Sequence, residues 1–417
     1  MSPVSHEILS PSEISENHEV TRKNLEKYVQ GCEEIGVRLD TIIRNTIETG
    51  KRPIILIPSR GAVPIFLLAR KALNEGYPEG SFFSDNNANY YPAGIFDYLE
   101  GEVPKDNSQD ADVDVILYPF TADVSSEGEK EWLAEKLRKS CSRAVLDLVT
   151  GESGKDLDWY KFLVKKLADR RDEKPSLKPG HILESLAKIP KLDSQIILVD
   201  TVISGRAAND ITDAFFDLQH PAAAVLAVDS TREDKFQATR KYAIEQALSE
   251  PEDPQKKVNP FVYFPLLTED KGSALLGVCA VNFANFNDKG LFSRISSQFS
   301  ETFLPQSCIW TFPPAVTRER YLSAFRHFID VAWRVHKKED IPEEALENLR
   351  SELRPLTAKH ASPPLKEIQA LAQVSQKATA KETASHIVSI TVAPEQAIEW
   401  VREFAMQLNH RRDKSAA

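Results

Sequence analysis

Long apolar runs are missing from this chain: no stretch approaches the ~20 consecutive apolar residues that a membrane helix requires. Met1 to Glu16 is polar and acidic and lacks the apolar centre of a signal peptide. Cysteine is scarce, and Cys32, Cys141, Cys279 and Cys308 lie far apart with no CxxC pair, which argues against a disulfide framework or a zinc knuckle. Together these absences predict a soluble, cytoplasmic protein. No histidine pair has metal-ligand spacing, no GxSxG elbow occurs, and no GxGxxG opens a helix after a strand. Thr150-Gly151-Glu152-Ser153-Gly154-Lys155 glances at a P-loop. Valine at 149 in place of the first glycine, and Asp156 in place of the closing Ser/Thr, reject it. There is no internal repeat and no long low-complexity tract.

What is present is an ordinary globular composition, with 41% hydrophobic and 27% charged residues. Length, at 417 residues, predicts a large α/β unit with a smaller one appended. The 52 basic residues against 62 acids give a net charge of −10, so the chain has no overall attraction for nucleic acid or anionic membranes. A short basic tail, His410, Arg411, Arg412 and Lys414, reads as a solvated end.

Periodicity predicts a helix over Glu16–Glu48, from Leu25, Val29, Cys32, Leu39, Ile42 and Ile43, with Gly50 ending it. Pro53–Ile57, Val113–Tyr118, Ile196–Val199 and Ala223–Val228 are short apolar, β-branched runs of the buried-strand type. Helices are expected at Pro64–Leu73, Gly128–Val149, Trp159–Arg171, the segment ending at Leu218, and Arg318–Val335. Phe261–Phe286 is strand-like, and a closing strand (Ile387–Val392) and helix (Pro394–Leu408) follow a soft boundary near Lys338. Between Gly76 and Asp112 the pattern dissolves into Asn, Asp, Gly and Pro with interleaved aromatics, the mark of a lid or hood. Its aromatics, Phe82 to Tyr98, suit either a stacked base or core packing. Strands separated by helices imply a mostly parallel sheet covered on both faces.

The informative segment runs Ile196-Ile197-Leu198-Val199-Asp200-Thr201-Val202-Ile203-Ser204-Gly205-Arg206-Ala207-Ala208. Four apolar residues reach an aspartate, and the chain then turns through Ser-Gly into a helix. Ligands of open parallel sheets sit at the carboxyl ends of strands. A helix starting there offers free N–H groups and a positive dipole end to an anion. Glycine at the turn leaves room for an approaching phosphate. Asp200 repels phosphate, so its carboxylate suits neutral hydroxyls, or a metal ion. A helix cap is the plainer reading of Asp200, as a surface salt bridge is of Arg60 and a solvent-facing first turn of Arg206. An acceptor for hydroxyls beside a cradle for phosphate describes a sugar phosphate.

This segment resembles the PRPP-binding motif of type I phosphoribosyltransferases. A second, Ile55-Leu56-Ile57-Pro58-Ser59-Arg60-Gly61-Ala62-Val63-Pro64, is similar to that family's pyrophosphate loop, and the two occur in the family's order. The resemblance covers Pro53–Leu73 and Gln195–Ser230. It departs from the family in having Thr201 at the second acidic position, a loop one residue shorter, Ala207 and Ala208 where hydroxyl residues are common, and a much wider spacing between the motifs. It implies that Asp200 binds the ribose hydroxyls while Ser204, Gly205, Arg206 and Ala207 wrap the 5′-phosphate beside Thr201. Arg60 would hold pyrophosphate with Ser59, Gly61 and Ala62, Asp200 and Arg60 would carry the catalysis, and Asp229 would approach a nucleobase. Mg²⁺ would accompany PRPP. The implied activity is transfer of 5-phosphoribosyl to a nitrogenous acceptor with release of pyrophosphate. The alternative is a non-catalytic PRPP- or nucleotide-sensing protein on the same fold. The implied architecture is a phosphoribosyltransferase-like domain over 1–338, with an insertion or hood around 76–180, and a small α+β or helical C-terminal unit over 339–417. A homo-oligomer and another sugar phosphate as ligand are left open.

Overall fold

The computed structural model describes residues 20–59, 61–76, 82–83, 87–91, 95–102, 107–108, 110–117, 131–151, 193–251, 253–267 and 315–353. Arg60, the expected helix Trp159–Arg171, the basic tail, the closing strand and helix, and the part of Phe261–Phe286 beyond residue 267 lie outside them.

Helix α1 (Arg22–Glu48) begins where the Thr21 hydroxyl accepts from the Asn24 amide at 3.2 Å, and it ends ahead of Gly50, whose φ of 77° few other residues tolerate. Its buried stripe includes Leu25, Val29, Cys32, Ile35, Leu39 and Ile43. Strand β1 (Arg52–Ile57) leads to α2 (Ala62–Gly76), in which Pro64 occupies the first turn, where its missing N–H leaves no bond unmade. Then follow β2 (Ala88–Tyr91), α3 (Ile95–Glu100), β3 (Val113–Leu117) and α4 (Glu131–Thr150). Strand β4 (Ser194–Val202), α5 (Arg206–Asp217), β5 (Ala223–Asp229), α6 (Ala238–Ala247), β6 (Phe261–Phe264), α7 (Ala315–His336) and α8 (Glu343–Leu353) complete the order.

The six strands form one sheet in the order β2-β3-β1-β4-β5-β6, and every neighbouring pair is parallel. Parallel strands are buried on both faces, which is why their sequences are apolar without alternation. One face carries Ile55, Ile57, Val115, Ile197, Val199 and Ala227 into a core shared with α1, α2, α7 and α8. On the other face, Arg52 at the start of β1 makes two bonds to the fully buried Asp114 of β3, at 2.5 and 2.9 Å.

Two expectations change. Gly76–Asp112 is not without regular structure, because it contributes edge strand β2 and helix α3. Among the described residues, Phe83 and Phe96 pack inward, with Phe66 of α2 5.5 Å from the rings of both, and Phe96 5.1 Å from Tyr90. Strand β2 pairs with β3, whose Val113–Leu117 falls within the expected strand Val113–Tyr118. Past Lys338 the chain turns but the core continues, since Ile341, Leu346, Leu349 and Leu353 join the cluster that α7 enters through Phe325 and Phe328. A leucine every three or four residues puts one face of α8 against that cluster. No helix among the described residues is long and apolar enough to cross a membrane.

Candidate functional site

Because β1 and β4 are neighbours, residues 142 positions apart meet at their carboxyl ends: Ser59 Oγ lies 3.4 Å from Thr201 Oγ1. The Ser59 hydroxyl also accepts from the Ala62 amide at 3.2 Å, which ties the turn after β1 to the first residue of α2. The two segments recognised separately in the sequence therefore share one edge of the sheet. Gly61 and Ala62 are buried beside it, and Thr201, Ser204, Arg206 and Ala207 are half-buried. Arg60, which falls between Ser59 and Gly61, lies outside the described residues.

The turn after β4 is fixed from the far side. Gly205 caps α5 with φ 76°, so no side-chain oxygen occupies the helix start. A Cβ on Gly205 would stand 2.5 Å from the Phe236 ring, so this glycine accommodates a left-handed turn and an aromatic ring rather than simply clearing space for an oxyanion. Arg240, in the first turn of α6, donates to the Ser204 carbonyl at 2.8 Å.

Asp200 does not end its strand. Pairing with β5 continues through Thr201↔Ala227 and Val202↔Val228, because β5 supplies ladder partners that far. Side chains alternate along a strand. Asp200 therefore shares the face of Ile196 and Leu198, and Thr201 that of Val199. The Asp200 carboxylate is 2% exposed; Thr201 N–H donates to its Oδ1 at 2.8 Å. Burial pushes its pKa up to about 6, against the opposing pull of the Ser59 hydroxyl, the Thr201 amide and the positive charge of Arg138. Arg138, on α4, is itself buried in an ion pair with Asp210 of α5 at 2.6 Å.

No protein-family model and no curated protein matches this chain. Asp229 ends β5, and its carboxylate is turned into its own loop: Oδ1 accepts from the amide and hydroxyl of Thr231 at 3.1 and 2.8 Å, and Oδ2 stands 3.5 Å from Arg232 Nε. That is an Asx-type turn leading into a short 3₁₀ segment, Glu233–Lys235. Phe236, Arg240 and Arg138 are the site neighbours that sequence reasoning missed. None belongs to a motif, and each reaches the site from a different element.

Proposed function

We propose that the carboxyl edge of β1, β4 and β5 binds a phosphorylated ribose, PRPP in the first instance, and that the chain is a phosphoribosyltransferase-like protein releasing pyrophosphate. The observation that carries this reading is the junction of the two loops through Ser59 and Thr201. A sugar diphosphate with anionic groups at both ends needs two adjacent cradles. The turn Ser204–Ala207 supports the 5′-phosphate, because the α5 amides and dipole begin there without a side-chain cap. The turn Ser59–Ala62 serves pyrophosphate, with Arg60 as its cation. Catalysis in such a site depends on positioning and on stabilising the leaving group's charge.

Mg²⁺ enters this reading only as the companion of the substrate's pyrophosphate. Asp200 and Asp229 are 2% and 1% exposed, and neither turns an accessible carboxylate toward a metal. The described residues do not build a site for Mg²⁺.

Burial of Asp200 favours a second reading, a PRPP- or nucleotide-sensing protein without turnover, because a carboxylate engaged by Thr201 and Ser59 must be released before it meets ribose hydroxyls. Calorimetry with PRPP and Mg²⁺, followed by pyrophosphate release across a panel of nucleobases, separates the two. Binding with release supports the transferase, and binding without release supports the sensor. Absence of binding by both PRPP and ribose 5-phosphate refutes both. Arg60→Ala is expected to weaken PRPP more than ribose 5-phosphate, which lacks the pyrophosphate; equal weakening removes Arg60 from the pyrophosphate cradle.

A further inference from the structure

The segment after β5 is seated on the turn after β4. Phe236, 8% exposed, fills the space against Gly205 and is held in turn by the Phe261 ring of β6, 5.3 Å away. Beside it, the Arg240 Cβ lies 3.7 Å from the position a Gly205 Cβ would take, and its Nη1 reaches the Ser204 carbonyl at 2.8 Å. A cation in the first turn of a helix faces the unfavourable end of the dipole, and α6 has no acid in its first turn to offset it. The bond to Ser204 gives that arginine a physical reason to be there.

The bond has a directional consequence. In a planar trans peptide the carbonyl and the following N–H point to opposite sides. A Ser204 carbonyl turned toward Arg240 sends the Gly205 N–H away from α6. Glycine accepts φ of either sign at little cost, so the residue that permits this turn also permits its peptide to flip. A lock is needed to select one orientation. We propose that Arg240 is a positioning residue that holds the Ser204–Gly205 peptide in one orientation, so that the Gly205 amide joins the amides at the start of α5 in binding phosphate. This rests on the phosphate-cradle reading above. The guanidinium acts through the peptide and not by touching the ligand.

Only two of the chain's 16 glycines, Gly154 and Gly205, follow a serine. Labelling the full chain with carbonyl-¹³C serine and ¹⁵N glycine therefore isolates their two amides in one NMR spectrum. Arg240→Met keeps the aliphatic stem and removes the donor; Arg240→Lys restores a charged donor. In ligand-free protein, Arg240→Met is expected to move the Gly205 resonance and speed its hydrogen exchange, leaving Gly154 in place, with partial return in Arg240→Lys. Affinity for inorganic phosphate should fall roughly tenfold in Arg240→Met, the scale of one amide hydrogen bond lost to an anion. A Gly205 resonance unmoved by Arg240→Met overturns the lock. A moved resonance with unchanged phosphate affinity overturns the amide's part in the cradle. Wild-type protein that binds no phosphate overturns the cradle itself, while the Gly205 resonance still decides the lock.

Discussion

Replacing Asp200 by asparagine keeps the side chain's size and its bond from the Thr201 amide, and removes a charge that is 2% exposed. In the native protein burial raises this carboxyl from an ordinary value near 3.8 to about 6. An acid whose pKa is higher folded than unfolded binds more protons in the native state across that window. Its contribution to stability is fully present below pH ~3.8 and is lost as pH rises through ~6. Each tenfold change in proton affinity is worth about 1.4 kcal/mol, so the ionised carboxylate costs up to about 3 kcal/mol at pH 7. Asp200→Asn should therefore be more stable than wild type at pH 7 by as much as that, with the gain fading toward pH 4. Urea unfolding at both pH values measures it. A variant less stable than wild type at pH 7 by the same margin as at pH 4 would refute the reasoning, since Arg138 and Ser59 would then be compensating the charge in full. A gain confined to neutral pH, coupled to weaker binding of PRPP, would mark a carboxylate retained for function at the expense of stability.

Gly205→Ala forces a side chain into the left-handed region, at about 1–2 kcal/mol, and drives a Cβ into the Phe236 ring, so a loss of about 2–4 kcal/mol is expected in urea unfolding. Adding Phe236→Leu should recover the steric part alone. Asp114→Ala strands the Arg52 guanidinium, whose side chain is only 13% exposed, and should cost about 3–5 kcal/mol; the double variant Arg52→Met/Asp114→Leu should recover most of it, and equal losses in single and double variants would argue against a buried pair.

The sheet was legible because its inner strands have no alternative use: runs such as Ile54-Ile55-Leu56-Ile57 and Ile196-Ile197-Leu198-Val199 are apolar on both faces. Strand β2 was not, because Ala88-Asn89-Tyr90-Tyr91 sits in a neighbourhood rich in Asn and Pro, and its place depends on pairing with β3. At the site, the meeting of the two turns was readable from their order. The orientation of Asp200 was not, since it depends on how far β5 extends the pairing of β4. Arg138 and Arg240 carry no local signal at all. Each is an ordinary helical arginine until α4 packs against α5 and α6 swings over the turn at Gly205.

Helix α1 has a different implication for how this chain is made. Part of its apolar stripe is covered by α7, where Phe328 packs edge-on to Tyr28, and its start is tied down by bonds from Arg22 to the Ile341 carbonyl and from Arg350 to the Val20 carbonyl. Ala315, where α7 begins, comes 267 residues after Glu48, the last residue of α1. At ~5–20 residues per second of synthesis, that separation amounts to roughly 13–50 seconds. Throughout that interval α1 can gain its contacts with the sheet and α2 but not its cover from α7. The nascent chain would thus leave the Tyr28 side of α1 without its final cover until late in translation, and ribosomes stalled before residue 315 should hold an α1 start more protease-sensitive than that of full-length chains.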